Sequence, residues 1–342
     1  MRTTKKTSLT TLLKGAAAAL LAGSLSLSSA FAADFPDKDL QGVIMWGAGG
    51  ATDNVARALT PHVEKYLGKK IVLTNKSGGA GAISTNYVFS RPANGYTVLY
   101  GAENPQIHGV LGLSKLDYSS FIPVNIIASG TTVIVTRADK EWKTVKDIVD
   151  DVKAHPDTIK MGTAGPGSLP FVVSSMLKTT TDMPVLTVPF DGEGPGMTAL
   201  EGGHIDFMAV GLTAAREQLK AGRLKALAVV SDTAVPGMEN VPLITEDFPA
   251  FKKFLPWGPF YGIFVKQGTP EEAVKALTDA FAKAVAEPQF QDFIKDFGAT
   301  PLNIHGDEAV QYLKHNQSVS AWLLQDAGAA KVSPEELGIP RP

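Results

Sequence analysis

The sequence predicts two α/β domains, the second inserted into the first, and three observations carry that prediction. The chain has 342 residues, more than the roughly 100–200 of a single domain. Strand-like and helix-like segments alternate along nearly all of it, the pattern of open, mainly parallel sheets flanked by helices. That alternation changes character near 130–136 and regains it near 255–260, as it would where a chain leaves one domain and returns. The domains so drawn are 33–133 together with 259–342, and 134–258, with a ligand cleft at the hinge between them.

The elements follow in order. Leu40–Trp46 is strand-like and runs into Gly47-Ala-Gly-Gly-Ala-Thr-Asp53. Val55, Leu59, Val63 and Leu67 then recur at helical spacing through Asn54–Tyr66. Lys70–Thr74 is a second strand, Asn75–Ala82 a second glycine-rich loop and Ile83–Ser90 a second helix; Tyr96–Gly101 is a third strand. Thr132–Thr136 is a β-branched run that opens the second unit. A helix (144–154), a strand (160–163) and the loop Ala164-Gly-Pro-Gly-Ser168 come next. Further helices are expected over 171–178, 194–202 and 213–221, and strands over 184–190, 205–210 and 224–230. Strand character returns over Trp257–Val265, before helices at 270–286, 288–297 and 307–324.

Residues 1–32 stand apart. Arg2, Lys5, Lys6 and Lys14 precede a short apolar run and Ala30-Phe31-Ala32, the parts of a cleaved secretory signal. The run is too short and too interrupted to span a bilayer. Without these four cations the 32 Lys+Arg become 28 against 34 Asp+Glu, a mature charge of −6. An exported protein of the periplasm is expected. Cysteine is absent, which excludes thiol catalysis, disulfides, cysteine–zinc sites and a lipidated N-terminus. There is no basic excess to bind nucleic acid.

Enzyme chemistry finds little support. The loop at Gly47 lacks the third glycine of a dinucleotide fingerprint, and the next strand ends in Asn75 rather than an acid. There is no P-loop and no nucleophile elbow. The histidines at 62, 108, 155, 204, 305 and 315 form no metal-binding pair. No enzyme activity, cofactor or metal is expected, and the protein is expected to be a monomer. The three glycine-rich strand-to-helix turns, 47–53, 75–82 and 163–168, are more informative. Such a turn lets a ligand approach the backbone, and the following helix offers free N–H groups and the positive end of its dipole. Together they make an anion site without a cationic side chain.

These segments resemble the receptors of tripartite tricarboxylate transporters, the Bug or TctC-type solute-binding proteins. Trp46-Gly-Ala-Gly-Gly-Ala-Thr-Asp53-Asn-Val-Ala-Arg57 is similar to their PF-x-x-GG-x-x-D-x-x-AR opening. Asn75-Lys-Ser-Gly-Gly-Ala-Gly, Asn94-Gly-Tyr-Thr-Val-Leu and Gly162-Thr-Ala-Gly-Pro-Gly-Ser168-Leu-Pro follow in family order, as do Val188-Pro-Phe-Asp-Gly and Leu200-Glu-Gly-Gly-His-Ile-Asp206. The resemblance implies a type II-like periplasmic binding protein that closes around a small carboxylate and delivers it to a large and a small integral membrane permease subunit. Position by position, it implies ligand contacts from Trp46, Gly47, Ala48, Gly50, Thr52 and Asp53, and from Asn75 and Gly79. Thr163, Gly167, Ser168, Phe190 and Asp206 would complete the set. The chain departs from the pattern where the family has proline-phenylalanine (Met45-Trp46), tyrosine-lysine (Phe190-Asp191) and histidine (Phe171), with Glu193 close by. That wall is more apolar and more acidic than usual, which favours a ligand with one carboxylate and an apolar, aromatic or aminated remainder over citrate.

Overall fold

The computed structural model describes residues 35–183 and 185–342; the signal segment predicted at 1–32 lies outside the described residues. From β1 (Leu40–Ile44) the chain enters α1 (Ala51–Leu67), β2 (Ile71–Asn75), α2 (Ala82–Phe89), β3 (Thr97–Gly101) and β4 (Phe121–Gly130). Helix α1 buries Val55, Leu59, Val63 and Leu67 along one stripe and ends at Gly68, which is left-handed. One residue after β4 the chain is in a different sheet: β5 (Thr132–Arg137), α3 (Val145–Ala154), β6 (Lys160–Thr163), α4 (Leu169–Thr181) and β7 (Leu186–Pro189). The second unit continues through α5 (Glu193–Glu201), β8 (Phe207–Gly211), α6 (Leu212–Lys220), β9 (Leu224–Val229) and α7 (Ile244–Asp247). The chain then returns through β10 (Phe260–Lys266), α8 (Glu271–Val285), α9 (Pro288–Asp296), β11 (Ala299–Ile304) and α10 (Gly306–Asp326).

The first sheet has the order β11-β4-β10-β3-β1-β2 and the second β7-β6-β8-β5-β9. Both are mixed. Strand β1 pairs in parallel with β2 and β3, and β6 with β7 and β8, whereas β10 and β5 run against their neighbours. Antiparallel pairing therefore falls on the strands next to the crossings. The two crossings lie side by side, with the Gly130 N–H donating to the Pro259 carbonyl at 2.7 Å; the Thr131 carbonyl in the first crossing accepts from the Leu212 N–H at the end of β8 at 2.8 Å.

Two strands are absent from the sequence reading. Strand β11 carries Pro301 and lies at the sheet edge, where a missing N–H costs no ladder bond. Strand β4 is interior and carries Pro123, which sits beside a register shift against Phe264 of β10. A proline at a bulge is tolerated there, and its presence hides the strand from pattern reading.

The core is not divided as the sheets are. One apolar cluster joins Val55, Leu59 and Phe281 to Met208, Val210 and Leu212 of the second unit. Another joins Ile134, Ile148 and Phe207 to Ala321 and Leu324 of α10. The last helix thus spans both units, and the structure is a closed arrangement. Among the described residues no helix is long and apolar enough to cross a membrane.

Candidate functional site

Parallel strands bring their carboxyl ends to one edge, and ligands of open α/β sheets bind there. Strands β1 and β3 are in register through Ile44 and Tyr100, so the Met45–Gly50 loop emerges next to Ala102 and Glu103. From the other sheet, β6 delivers Ala164–Ser168 and the start of α4, and β8 delivers Gly211. Between these ends lies a small cavity of about 30 Å³, room for about two water molecules as the units sit here, so a ligand enters only when they part. Trp46, Gly50, Ala51, Thr52, Ala102 and Glu103 line it from the first unit, and Ala164, Ser168, Leu169, Pro170 and Glu193 from the second. Pro259 and Tyr261, on the returning chain, close one side. A shallower groove shares Trp46 and Ala164 with the cavity and opens outward between Gly78–Ala80, Gly165-Pro166 and Pro189–Asp191.

The predicted site residues fall into several groups. Trp46, Gly50, Thr52 and Ser168 border the inner cavity, and Gly79 and Phe190 border the outer groove. Gly47 and Ala48 meet the opposite unit directly. The Gly47 N–H donates to the Asp191 carbonyl at 3.0 Å, and Gly194 packs against the Ala48 carbonyl so closely that a β-carbon there would stand 2.2 Å from its oxygen.

Asp53 and Asn75 do not face the cavity; they brace the first loop from beneath. The Asp53 carboxylate accepts from the Gly49 N–H, Arg57 Nε and Asn75 Nδ2, each at 2.9 Å. Asn75 Nδ2 also donates to the Trp46 carbonyl at 2.8 Å, and Asn75 Oδ1 accepts from Arg57. Burial opposes ionisation of Asp53, but these donors outweigh it and hold its pKa below the ordinary value. Thr163 is buried at the end of β6 with its carbonyl accepting from the Phe190 N–H, and the Gly167 carbonyl accepts from the Asn104 side chain. Ser168 caps α4: Oγ accepts from the Ala164 and Phe171 N–H groups at 3.1 and 3.4 Å and donates to the Gly165 carbonyl at 2.8 Å.

Asp206 is placed elsewhere. It precedes β8, whose far end at Gly211 reaches the cleft, so about 16 Å of strand separates it from the ligand space. There it pairs with Lys140 at 2.7 Å and accepts from the Lys160 N–H at 2.9 Å. Its role in this structure is to tie β5, β6 and β8 together at the edge remote from the cleft.

Three polar residues at the cavity are absent from the predicted set. Tyr261 donates to Thr213 across the cleft at 3.4 Å. Glu103, the residue before Asn104-Pro105, is 5% exposed. Burial, reinforced by the charge of Glu193, pushes its carboxyl up to about 7. Glu193 accepts from the Gly211 N–H at 2.8 Å through one oxygen and from the Ala51 N–H at 3.4 Å through the other. Burial raises its pKa too, against those two donors. Among the described residues no group of three or more histidines and acids is placed to hold a metal ion.

Paired α/β units around a cleft fed by strand ends and helix N-termini define a two-domain solute-binding protein. The chain belongs to the tripartite tricarboxylate transporter receptor family, whose model matches residues 55–328. Among its relatives, the UPF0065 protein in the tcbD–tcbE intergenic region of Pseudomonas sp. (strain P51) is 28% identical over 77% of this chain and 79% of its own. Protein BugT of Bordetella pertussis is 23% identical over 86% and 91% respectively. The structure of the periplasmic binding protein BugD superposes with a TM-score of 0.82 at 28% identity, over 86% of this chain and 99% of that one. MatC from Rhodopseudomonas palustris, with bound malate, gives 0.77 at 26% identity, over 86% of this chain and all of its own.

Proposed function

We propose that this protein is a periplasmic receptor that captures a small carboxylate by closing 33–133 and 259–342 onto 134–258, and passes it to the large and small membrane subunits of a secondary permease. The observation that carries the reading is the convergence of two helix N-termini on one cavity, Ala51 and Thr52 opening α1 and Leu169 and Pro170 opening α4. The first N–H groups of a helix have no intrahelical partner. At α1 Gly50 gives no side-chain cap, although the Ala51 N–H already meets Glu193; at α4 Pro170 has no N–H and Ser168 takes that of Phe171, which leaves Leu169. An incoming carboxylate satisfies such donors and meets the positive end of the dipole. Hydrogen bonds to a charged group are worth about 1.5–3 kcal/mol each, so a few suffice for micromolar affinity in a protein of negative net charge.

The bound malate of MatC, a member of the same structural group, supports a small organic acid as ligand. Export through a cleaved 1–32 signal accords with the likeness to the periplasmic BugD. Trp46, Gly50, Thr52 and Ser168 are the residues of the predicted set nearest the ligand in this reading; Gly47 and Ala48 form the seam of closure, and Asp53 and Asn75 hold the loop in shape. Calorimetric titration with malate and other small mono- and dicarboxylates, alongside scattering, tests the proposal. Saturable binding with compaction is expected. Binding of neutral sugars with no response to any carboxylate would overturn it.

A further inference from the structure

Among the described residues the cavity holds two acidic side chains and no basic one. Glu103 reaches it from the end of β3, almost wholly buried, and its Oε2 has no hydrogen-bond partner among the described residues. Glu193 faces the same space from the opposite unit. One of its oxygens accepts from the Ala51 N–H, so part of the positive end of α1 already meets an anion supplied by the chain itself. Among the described residues no lysine, arginine or histidine borders the cavity. A buried carboxylate without a counter-charge is strongly disfavoured unless something arrives to pair with it. Trp46 and Tyr261 complete the wall, and aromatic faces attract cations. A second carboxylate on the ligand would instead meet like charge at both glutamates.

We propose that Glu103 and Glu193 form a cation subsite, and that the ligand carries a protonated ammonium group which these carboxyls receive and Trp46 and Tyr261 enclose. This rests on the reading of the cleft as a carboxylate site and narrows its substrate to small zwitterions, with the carboxylate on the remaining helix amides and the nitrogen on the glutamates.

The test is calorimetry on the mature chain with two matched series: adipate, 5-aminopentanoate and pentylammonium; terephthalate, 4-(aminomethyl)benzoate and benzylammonium. In at least one series the amino acid should bind about 10-fold or more tighter than its diacid, the minimum for exchanging a charge-assisted bond for repulsion. Glu103→Gln should abolish that preference and Glu193→Gln should reduce it, with circular dichroism checking the fold of each. If Glu103→Gln does not fold, the wild-type ranking and Glu193→Gln decide. Tighter binding of the diacids, or a preference surviving in both variants, overturns the cation subsite while leaving the carboxylate reading intact. Binding of the bare amines alone, lost in Glu103→Gln, supports the subsite and removes the carboxylate reading. Failure of all six to bind at millimolar concentration counts against both.

Discussion

Replacing Gly194 by alanine places a methyl carbon 2.2 Å from the Ala48 carbonyl oxygen and 3.0 Å from the Gly50 amide nitrogen, across the closed cleft. An ordinary carbon–oxygen contact is about 3.3 Å, so the two loops must part by roughly 1 Å. The same parting stretches the Gly47-to-Asp191 bond from 3.0 Å and the Ala51-to-Glu193 bond from 3.4 Å, beyond useful geometry for both. One neutral bond and one long charge-assisted bond together contribute about 2–3 kcal/mol, so apparent ligand affinity should fall about 30- to 150-fold. The fold itself should survive, because Gly194 occupies the first turn of α5, where alanine is the better helix former. The assay pairs calorimetry with small-angle scattering, using whichever ligand co-purifies with the wild type. Weak binding, an expanded profile and an undiminished melting temperature are predicted. Wild-type affinity with a compact profile would refute the claim that this glycine seam sets closure.

Glu103 gives a pH signature. Its folded pKa of about 7 lies above the ordinary 4.5, so its contribution to stability is full below about pH 4.5 and is lost as pH rises through 7. A shift of that size amounts to about 3 kcal/mol. Urea unfolding of ligand-free protein should show that alkaline loss, and Glu103→Gln should be without it; parallel curves would contradict the assignment. Asn75→Ala removes donors to the Trp46 carbonyl and Asp53 and should lower stability by about 1–3 kcal/mol while weakening binding through the loosened loop. Unchanged denaturation would show the brace to be idle. Ser168→Ala removes the α4 cap and should cost about 1 kcal/mol in stability even without ligand; a melting curve matching the wild type would refute the capping role.

The alternation of elements was legible because periodicity and turn residues report local structure. The stripe of Val55, Leu59, Val63 and Leu67 defines α1 without help from the rest of the fold. Strands β4 and β11 were hidden by Pro123 and Pro301, which are tolerable only because of a bulge and an edge that tertiary pairing creates. The glycine loops announced where backbone approaches the cleft. What each polar side chain does within them was not legible. Asp53, Asn75 and Ser168 spend their hydrogen bonds on the loops that carry them, and Asp206 sits at the wrong end of its strand. Glu103 gave no signal, since a lone glutamate before Asn-Pro reads as a surface residue until two sheets bury it.

The measurement that bears most directly on the central claim is mass spectrometry of the small molecule released when the purified protein is unfolded. A stoichiometric, chemically intact compound bearing a carboxylate is predicted. A stoichiometric neutral compound, or one recovered as a reaction product, would contradict a carboxylate receptor.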